Sequence, residues 1–255
     1  MTTPQELAQR WDAQQTAYVR HRAERFATIA RVVARICADT ASPRVLDLAG
    51  GFGSLGLAVI EQLPQARLVI ADKDPVLLAI GNDLTRDRPE VEVVDVDLDD
   101  PDWHQHPVIA AEPFDAVVSS TALHWLQPEI LTAVYWRLGE LVRPGGIVLN
   151  GDNLAYDEHS EPTLHRITAE DDQAVQQAAF EAGTDTWDDW WKAAESVPEY
   201  ADAAELRGRR WGASLHTPPP KVTLGFHQEA LRSAGFREVG TVWRHLDDHV
   251  VYAVR

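Results

Sequence analysis

The sequence of 255 residues predicts an α/β protein built on one large, mostly parallel sheet with helices on both faces. Between residues 43 and 151, five short apolar runs alternate with helical stretches, a pattern typical of parallel strands that are buried on both sides. Helical sequence precedes the first run, and two more strand-like runs close the chain. The chain is long enough for one large core with a smaller appended piece.

The first element is helical. Thr3 and Glu6 have the spacing of a capping box, with Pro4 at the first helical position, and the helical pattern continues to Ile36 with a break near Tyr18. Apolar residues at three- and four-residue intervals in the second half predict one buried face. These helices, residues 1–42, are expected to pack on something larger.

The central part of the chain carries the predicted sheet. Strands are predicted at 44–47, 67–71, 91–94, 116–119 and 146–150, and helices near 54–63, 75–82 and 128–142. A helix near 227–234 and strands at 238–243 and 249–254 complete the set and bring the sheet to seven strands. Residues 43–153 and 223–255 are therefore expected to form one core.

Residues 154–222 interrupt this core. They have weak strand signals, abundant Ala, Glu and Asp, and four of the nine Trp residues, and they end in the stiff Pro218–Pro219–Pro220 connector. This composition predicts a mostly helical, Trp-rich insertion. Its position before the last two strands makes it a candidate lid over an acceptor site.

Composition and charge exclude several functional classes. The formal net charge is −17 and the pI about 4.9, so the molecular field repels polyanions and disfavours nucleic-acid and anionic-membrane partners. The single Cys37 cannot form an internal disulfide, and no stretch has the pattern of a leader or a membrane span, so a cytoplasmic location is expected. A small-molecule partner fits this charge, and both a monomer and a homodimer stay open.

A glycine cluster between the first strand and the first core helix predicts a nucleoside site. Glycines at this position let the backbone approach a ligand closely, and the helix that follows presents free N–H groups. The next strand ends at Asp72, whose carboxylate can accept two hydrogen bonds from a ribose diol. The segment Gly51 to Gly56 also satisfies the dinucleotide pattern G-x-G-x-x-G, so an NAD-dependent oxidoreductase is the alternative.

Acidic strand ends favour a cationic nucleoside over a dinucleotide. Asp47 lies at the end of the first strand, where an ammonium group would be stabilised and a pyrophosphate repelled. Asp97, beyond the third strand, adds an acceptor that an adenine amino group could reach. Three carboxylates at successive strand ends therefore predict a positively charged, non-phosphorylated nucleoside.

These motifs resemble the class I methyltransferases that use S-adenosyl-L-methionine (SAM), whose fold is Rossmann-like with an antiparallel last strand. The family motif Asp/Glu-x-Gly-x-Gly-x-Gly aligns with Asp47 to Gly53, with Ala49 in place of its first Gly. Such a replacement is unfavourable where the backbone needs a positive φ. The segments FDAVVSSTALHWL and LVRPGGIVL resemble the fourth strand and the fifth-strand region of the family.

The resemblance implies a role for each matching residue. Asp47 and the backbone of Ala49, Gly50 and Gly51 would face the methionine moiety, and Ser119 would lie beside the transferred methyl group. Asp72 would hold the ribose hydroxyls. Lys73, Asp97 and the Leu98 amide would contact adenine. Tyr18 and Arg22 would hold the methionine carboxylate. For the carboxylate, Arg20 and Arg25 are alternatives to Arg22. The last strand, 249–254, would be antiparallel.

The acceptor side of the site is predicted from chemistry. A methyl group bound to a sulfonium is already activated, so methyl transfer needs mainly positioning, and an oxygen nucleophile also needs a base. His124, beyond the fourth strand, is the candidate base, with a pocket-lining His as the alternative. The candidate acceptor contacts are Trp125, Asp152, Trp187 and Trp191.

Other methylation chemistries fit less well. Cytosine C5 methylation requires a Cys nucleophile, but Cys37 lies in the leading helices. Asp152-Asn153 resembles part of a magnesium site, yet Ser119 stands where a further carboxylate would be needed, so no metal is expected. The sequence thus predicts a SAM-dependent methyltransferase acting on O or N of a small molecule, with an NAD-dependent oxidoreductase or a non-catalytic nucleoside-binding member as alternatives.

Overall fold

A computed structural model of the chain describes residues 2–212, 218–220 and 222–255. Its strands form one seven-stranded sheet in the order β3-β2-β1-β4-β5-β7-β6. The strands are β1 (Arg44–Leu48), β2 (Arg67–Asp72), β3 (Val91–Asp95), β4 (Phe114–Ser120), β5 (Val142–Asn153), β6 (Glu238–His245) and β7 (Asp248–Val254). Strand β7 runs antiparallel to both of its neighbours, and the other pairs are parallel, so the predicted sheet is confirmed.

Ten α-helices lie within the described residues and surround the sheet. They are α1 (Pro4–Tyr18), α2 (Arg22–Ile36), α3 (Ser54–Gln62), α4 (Pro75–Leu84), α5 (Pro107–Ala110), α6 (Pro128–Leu141), α7 (Pro162–Glu181), α8 (Trp187–Glu195), α9 (Ala201–Trp211) and α10 (Leu224–Ser233). The predicted break near Tyr18 separates α1 from α2, where His21 has a φ of 53°. The predicted capping box is present: Glu6 N donates to Thr3 Oγ1 at 3.2 Å, and Thr3 N donates to Glu6 Oε2 at 2.8 Å.

The strands adjacent to the site extend further than the sequence predicts. Strand β5 continues through Asn153, because its end pairs with β7 in the register Asp152↔His249 and Asn153↔Asp248. Periodicity within β5 carries no information about a partner strand about a hundred residues away. This pairing fixes Asp152 inside the sheet rather than in the turn after it.

Apolar residues form a core on each face of the sheet. Helices α2 and α3 cover one face with residues such as Ile29, Val33 and Val59. Helices α6 and α10 cover the other with residues such as Leu131 and Leu231. Both faces are therefore shielded, and the carboxyl ends of β1 to β5 form the open edge where ligands bind in sheets of this kind.

The predicted insertion carries three helices among its described residues, α7, α8 and α9, joined by irregular segments. Helices α7 and α8 contact α1, and α9 contacts α4. A third apolar cluster, in which Trp190 and Trp191 meet Leu7, Val76 and Ile80, joins this insertion to the rest of the chain. Residues 213–217 and 221, which the predicted insertion also includes, lie outside the described residues. Within the described part of the chain, no helix is both long and apolar enough to cross a membrane.

Candidate active site

The glycine loop turns sharply between β1 and α3. Ala49, Gly51 and Gly53 have φ values of 52°, 60° and 95°, and Gly50 N donates to Ala71 O at 3.1 Å. A Cβ atom on Gly50 would lie 2.5 Å from Cγ of Asp47, so no larger residue fits there. Ala49 therefore adopts the left-handed conformation that the family Gly tolerates, which costs about 1–2 kcal/mol for a residue with a side chain.

Asp47 lies beneath this loop and is fully buried. Its Oδ2 accepts a hydrogen bond from Gly56 N at 2.7 Å, while its Oδ1 has no hydrogen-bond partner within the described residues. Burial raises the pKa of Asp47 to about 7, against the lowering effects of the Gly56 N–H and of Arg22. An unpaired carboxylate oxygen in this position fits the α-ammonium group of a methionine moiety.

Asp72 lies at the end of β2, next to the loop. Its Oδ2 accepts from Gly51 N at 2.7 Å and its Oδ1 accepts from Asp74 N at 2.8 Å. Burial raises its pKa to about 6, although both backbone hydrogen bonds oppose the change. A carboxylate has about four lone-pair sites, so each oxygen keeps acceptor capacity for a ribose hydroxyl.

The residues predicted to meet adenine lie between the ends of β2 and β3. Lys73 Nζ is 3.2 Å from Asp97 Oδ1 and 3.0 Å from Asp99 Oδ2, so the ammonium bridges two carboxylates. Asp97 is about half exposed, whereas Leu98 is buried. The structure therefore brings Lys73, Asp97 and Leu98 to one end of the site, as predicted.

Arg22 and Tyr18 occupy different positions. Arg22 Nη2 is 2.9 Å from Asp12 Oδ1, and Ser54 Oγ donates to the same oxygen at 3.2 Å, which places Arg22 next to the start of α3. Burial lowers the pKa of Arg22, and Asp12 and Asp47 oppose the effect. Tyr18 instead faces the insertion, because its hydroxyl accepts from Trp187 N at 3.3 Å. Arg22 is thus the better placed of the two for a methionine carboxylate.

His124, which follows β4, and Asp152, near the end of β5, form a hydrogen-bonded pair. His124 Nδ1 is 2.5 Å from Asp152 Oδ1, and His124 N donates to Asp152 Oδ2 at 3.1 Å. Burial acts to lower the pKa of His124, but the charge and hydrogen bond of Asp152 raise it above its ordinary value. Burial likewise acts to raise the pKa of Asp152, and the pairing with His124 holds it below its ordinary value. The pair fixes the imidazole and leaves Nε2 for another partner.

Asp152 was predicted as an acceptor contact, but its side chain is fully buried and is engaged by His124. Asn150 Nδ2 donates to its Oδ2 at 3.4 Å, and Asn153 N donates to its Oδ1 at 3.1 Å. The structure thus engages Asp152 with His124, and a contact between Asp152 and an acceptor stays a prediction. Strand pairing with β7 is the physical reason, since it holds Asp152 inside the sheet.

A second buried histidine lies near this pair and has no sequence motif. Tyr135 Oη and His227 Nδ1 are 2.6 Å apart, and both residues are fully buried. Burial lowers the pKa of His227 to about 4, although the Asp152 charge acts in the opposite direction. His227 is therefore neutral at pH 7, and its hydrogen-bond partner is Tyr135.

Arg25 is a further residue that sequence patterns left undecided. It is fully buried, its Nη2 donates to Ser120 Oγ at 3.0 Å, and its Nη1 is 3.6 Å from Asp248 Oδ1. Burial lowers its pKa, while Asp248 and Asp152 oppose the effect. Ser119, predicted beside the methyl group, is buried, and its Oγ has no hydrogen-bond partner in the part of the chain that the structure describes.

Aromatic residues of α1, the glycine loop and α8 form one cluster. The ring centre of Trp11 lies 5.9 Å from the ring centre of Phe52 and between 4.5 and 6.0 Å from three ring centres of α8, those of Trp187, Trp190 and Trp191. Trp191 is only 7% exposed and packs in this core, and its role as an acceptor contact stays a prediction. Trp187, 42% exposed, keeps a free face. Trp125, 53% exposed and 5.2 Å from His124, stays the predicted wall of an acceptor pocket.

Across residues 2–212, 218–220 and 222–255, no group of three or more His, Cys, Asp or Glu side chains has an arrangement that could hold a metal ion. Cys37 is buried, and burial raises the pKa of its thiol to about 11. A thiol that remains protonated at neutral pH and lies among the leading helices is a poor nucleophile.

The central part of the chain is similar to known methyltransferases. Residues 46–148 match the sequence model of a family described as a methyltransferase domain. A trans-aconitate 2-methyltransferase of Azoarcus sp. (strain BH72) is 31% identical over 160 residues, which cover 63% of this chain and 56% of that protein.

Solved structures resemble the whole architecture at low sequence identity. An O-methyltransferase family protein from Burkholderia thailandensis matches with a TM-score of 0.57 and 17% identity, over 89% of this chain and 55% of its own. Human N-acetylserotonin methyltransferase, in complex with SAM, matches with a TM-score of 0.53 and 16% identity, over 95% of this chain and 59% of its own. The chain spans little more than half the length of these relatives. Its fold is the predicted Rossmann-like fold that these structures share, and the match to the methyltransferase-domain model extends over residues 46–148.

Proposed function

From this domain and fold, we propose that the chain is a SAM-dependent methyltransferase that transfers a methyl group to an oxygen of a small molecule. The observation that carries the proposal is the His124–Asp152 pair, a proton acceptor held 2.5 Å from its orienting carboxylate at the edge where β4 and β5 end. A nitrogen acceptor has less need of such a base, because an amine already carries a free lone pair. The geometry therefore favours an oxygen acceptor.

The cradle for the methyl donor fits SAM at each of its charged and polar ends. Asp47 and Arg22 would hold the α-ammonium and α-carboxylate groups, which share one carbon and so require a carboxylate and a cation close together. Asp72 would accept from the ribose, and Asp97 with Leu98 N–H would meet adenine. When bound, SAM supplies a methyl group on a sulfonium, which is already activated for transfer.

The protein's own contribution is positioning and one proton transfer. His124 Nδ1 is committed to Asp152, so Nε2 is the nitrogen that accepts the proton of an acceptor hydroxyl. Asp152 stabilises the resulting imidazolium and fixes the orientation of the ring. Trp125 lies beside His124 and would form a flat wall for the acceptor, and Ser119 Oγ would face the reacting groups.

Two alternatives are less compatible with this site. A dinucleotide would place a pyrophosphate near the buried Asp47 and Asp72, whose raised pKa values show that negative charge is already unfavourable there. A non-catalytic binding protein would not require a buried carboxylate to orient His124, whose side chain is mostly buried but still reaches solvent. The relatives with methyltransferase names agree with the enzymatic alternative, and a cytoplasmic location stays a prediction.

Calorimetry with S-adenosylhomocysteine (SAH) and with NAD separates the donor alternatives. We expect saturable binding of SAH and none of NAD, and NAD binding without SAH binding would contradict the proposal. Transfer of label from methyl-labelled SAM to a panel of phenols, enols and hydroxy acids then tests catalysis. His124→Gln should abolish transfer and keep SAH binding; a variant that retains full transfer would refute the role of His124.

A further inference from the structure

The carboxyl-terminal turn of α9 is attached to the ends of β2 and β3. Arg210 donates to both carboxylate oxygens of Asp95, with each nitrogen–oxygen distance 2.7 Å, and its Nη1 also donates to Lys73 O at 2.7 Å. Two parallel hydrogen bonds of this kind fix orientation as well as distance. The insertion is thereby anchored at the last residue of β3 and at the residue that follows β2.

A second group of contacts connects α9 to Asp72, the residue predicted to bind the ribose, through Asp74. Arg207 Nε donates to Asp74 Oδ2 at 2.7 Å, and Trp211 Nε1 donates to the same oxygen at 3.2 Å. Asp74 in turn donates its backbone N–H to Asp72 Oδ1. The position of Trp211 is therefore set by the same short segment that positions Asp72.

The face of the Trp211 ring is directed at Lys73. Lys73 Nζ lies 4.6 Å from the centre of that ring and 3.2 Å from Asp97 Oδ1. One ammonium group thus contacts both an aromatic face and a carboxylate. Adenine can make the same two contacts, because its ring stacks on an indole and its amino group donates to a carboxylate.

The order of the strands places this turn at the nucleoside end of the site. Strands β2 and β3 lie on one side of β1, whereas β4 and β5, which carry His124 and Asp152 at their ends, lie on the other. Arg210 and Trp211, at the end of α9, contact Lys73, Asp74 and Asp95, which lie at the ends of β2 and β3. The predicted role of the whole insertion as an acceptor lid therefore does not account for α9.

We propose that Trp211 forms a wall of the donor pocket and stacks on adenine, with Arg207 and Arg210 holding its helix in place. This inference rests on the proposed function and assigns part of donor recognition to the insertion. Lys73 contributes its aliphatic stem and yields its contacts with Trp211 and Asp97 to the base. Donor affinity then depends on the seating of α9 as well as on the glycine loop.

Calorimetric titration with SAH and with adenosine tests this assignment. Trp211→Leu should weaken binding of both probes by about 5- to 150-fold, the range expected for loss of one base–aromatic stack. Trp211→Phe should restore most of the affinity, because an aromatic face remains. Arg210→Gln should weaken both probes in the same direction, since it releases the turn that carries Trp211.

Matched controls separate this contact from general damage. Trp136→Leu removes an exposed Trp from α6, and Arg209→Gln removes the neighbouring Arg, which pairs only with the exposed Glu205 among the described residues. Both should bind SAH as the unaltered chain does. Equal SAH affinity in Trp211→Leu and the unaltered chain overturns the inference and leaves the proposed function intact. Failure of the unaltered chain to bind SAH overturns both, and Trp211→Phe behaving like Trp211→Leu overturns the stacking role.

Discussion

Replacing Asp152 with Asn tests the central assignment, because it removes the charge opposite His124 and keeps the shape of the side chain. In the structure, Asp152 Oδ1 is 2.5 Å from His124 Nδ1, and the Asp152 side chain is fully buried. Its carboxylate is the factor that raises the pKa of His124 against the effect of burial. Without it, burial and the Arg25 charge act unopposed, and the pKa of His124 falls.

The expected loss follows from the hydrogen bond. A hydrogen bond to a charged group contributes about 1.5–3 kcal/mol, and each 1.36 kcal/mol is a tenfold change in rate, so methyl transfer should slow by about 10- to 150-fold. The sign of the pH effect is also fixed. Only neutral His124 accepts a proton, so transfer in the unaltered protein rises with pH through a midpoint above the ordinary histidine value of 6.5. In Asp152→Asn that midpoint moves to lower pH.

NMR of histidine-labelled protein measures this titration without knowledge of the acceptor. The His124 resonance is assigned by its loss in His124→Gln, and its pKa is compared in the unaltered protein and in Asp152→Asn. Asp39→Asn, a charge-removing change at an exposed position among the leading helices, is the control and should leave the titration unchanged. A His124 pKa that is the same with and without Asp152 would refute the reasoning.

Three further predictions concern the glycine loop and the buried network. Ala49→Gly should raise the free energy of unfolding by up to about 1 kcal/mol, because relief of the positive φ outweighs the added freedom of the unfolded chain. Urea unfolding measures this change. As a control, Ala182→Gly, at a φ of −79°, should instead lower the free energy of unfolding. SAH binding should weaken as pH falls through about 7, since only ionised Asp47 holds an ammonium group, and Asp47→Asn should lose this dependence in calorimetry. Tyr135→Phe leaves His227 Nδ1 without its partner in a buried position and should lower stability by about 1–3 kcal/mol, as thermal unfolding would show; an unchanged midpoint would exclude a structural role for this bond.

Sequence reasoning succeeded where function depends on local order. A strand, a glycine turn and a helix follow one another within residues 44–62, so the position of Asp47 beneath the loop is encoded within one stretch of chain. The same is true of Asp72, which ends the next strand. Parallel strands bring such ends to one edge, so their proximity required only the correct fold class.

Residues paired across long stretches of chain were beyond such reasoning. Tyr135 and His227 are separated by 92 residues, and Arg25 and Ser120 by 95, and each pair meets only because separate helices pack on the sheet. Trp191 illustrates a different limit. Its helical spacing from Trp187 predicted a shared face, but not that the face would pack on α1 and Trp11. A pattern identifies an apolar face without identifying what covers it.

The raised pKa values of Asp47 and Asp72 connect the negative charge of the chain to its proposed ligand. Burial raises the pKa of Asp47 to about 7, so about half of these carboxyls are protonated at pH 7, although the same residue would be fully ionised in water. The folded protein thus bears an unfavourable free energy for ionising Asp47, and a cation that binds next to it removes that penalty. A pyrophosphate would increase it. Burial makes these carboxyl groups costly to ionise and therefore favours a cationic nucleoside over an anionic dinucleotide. The overall charge of −17 cannot produce this selection, because most of that charge lies in solvent and is screened.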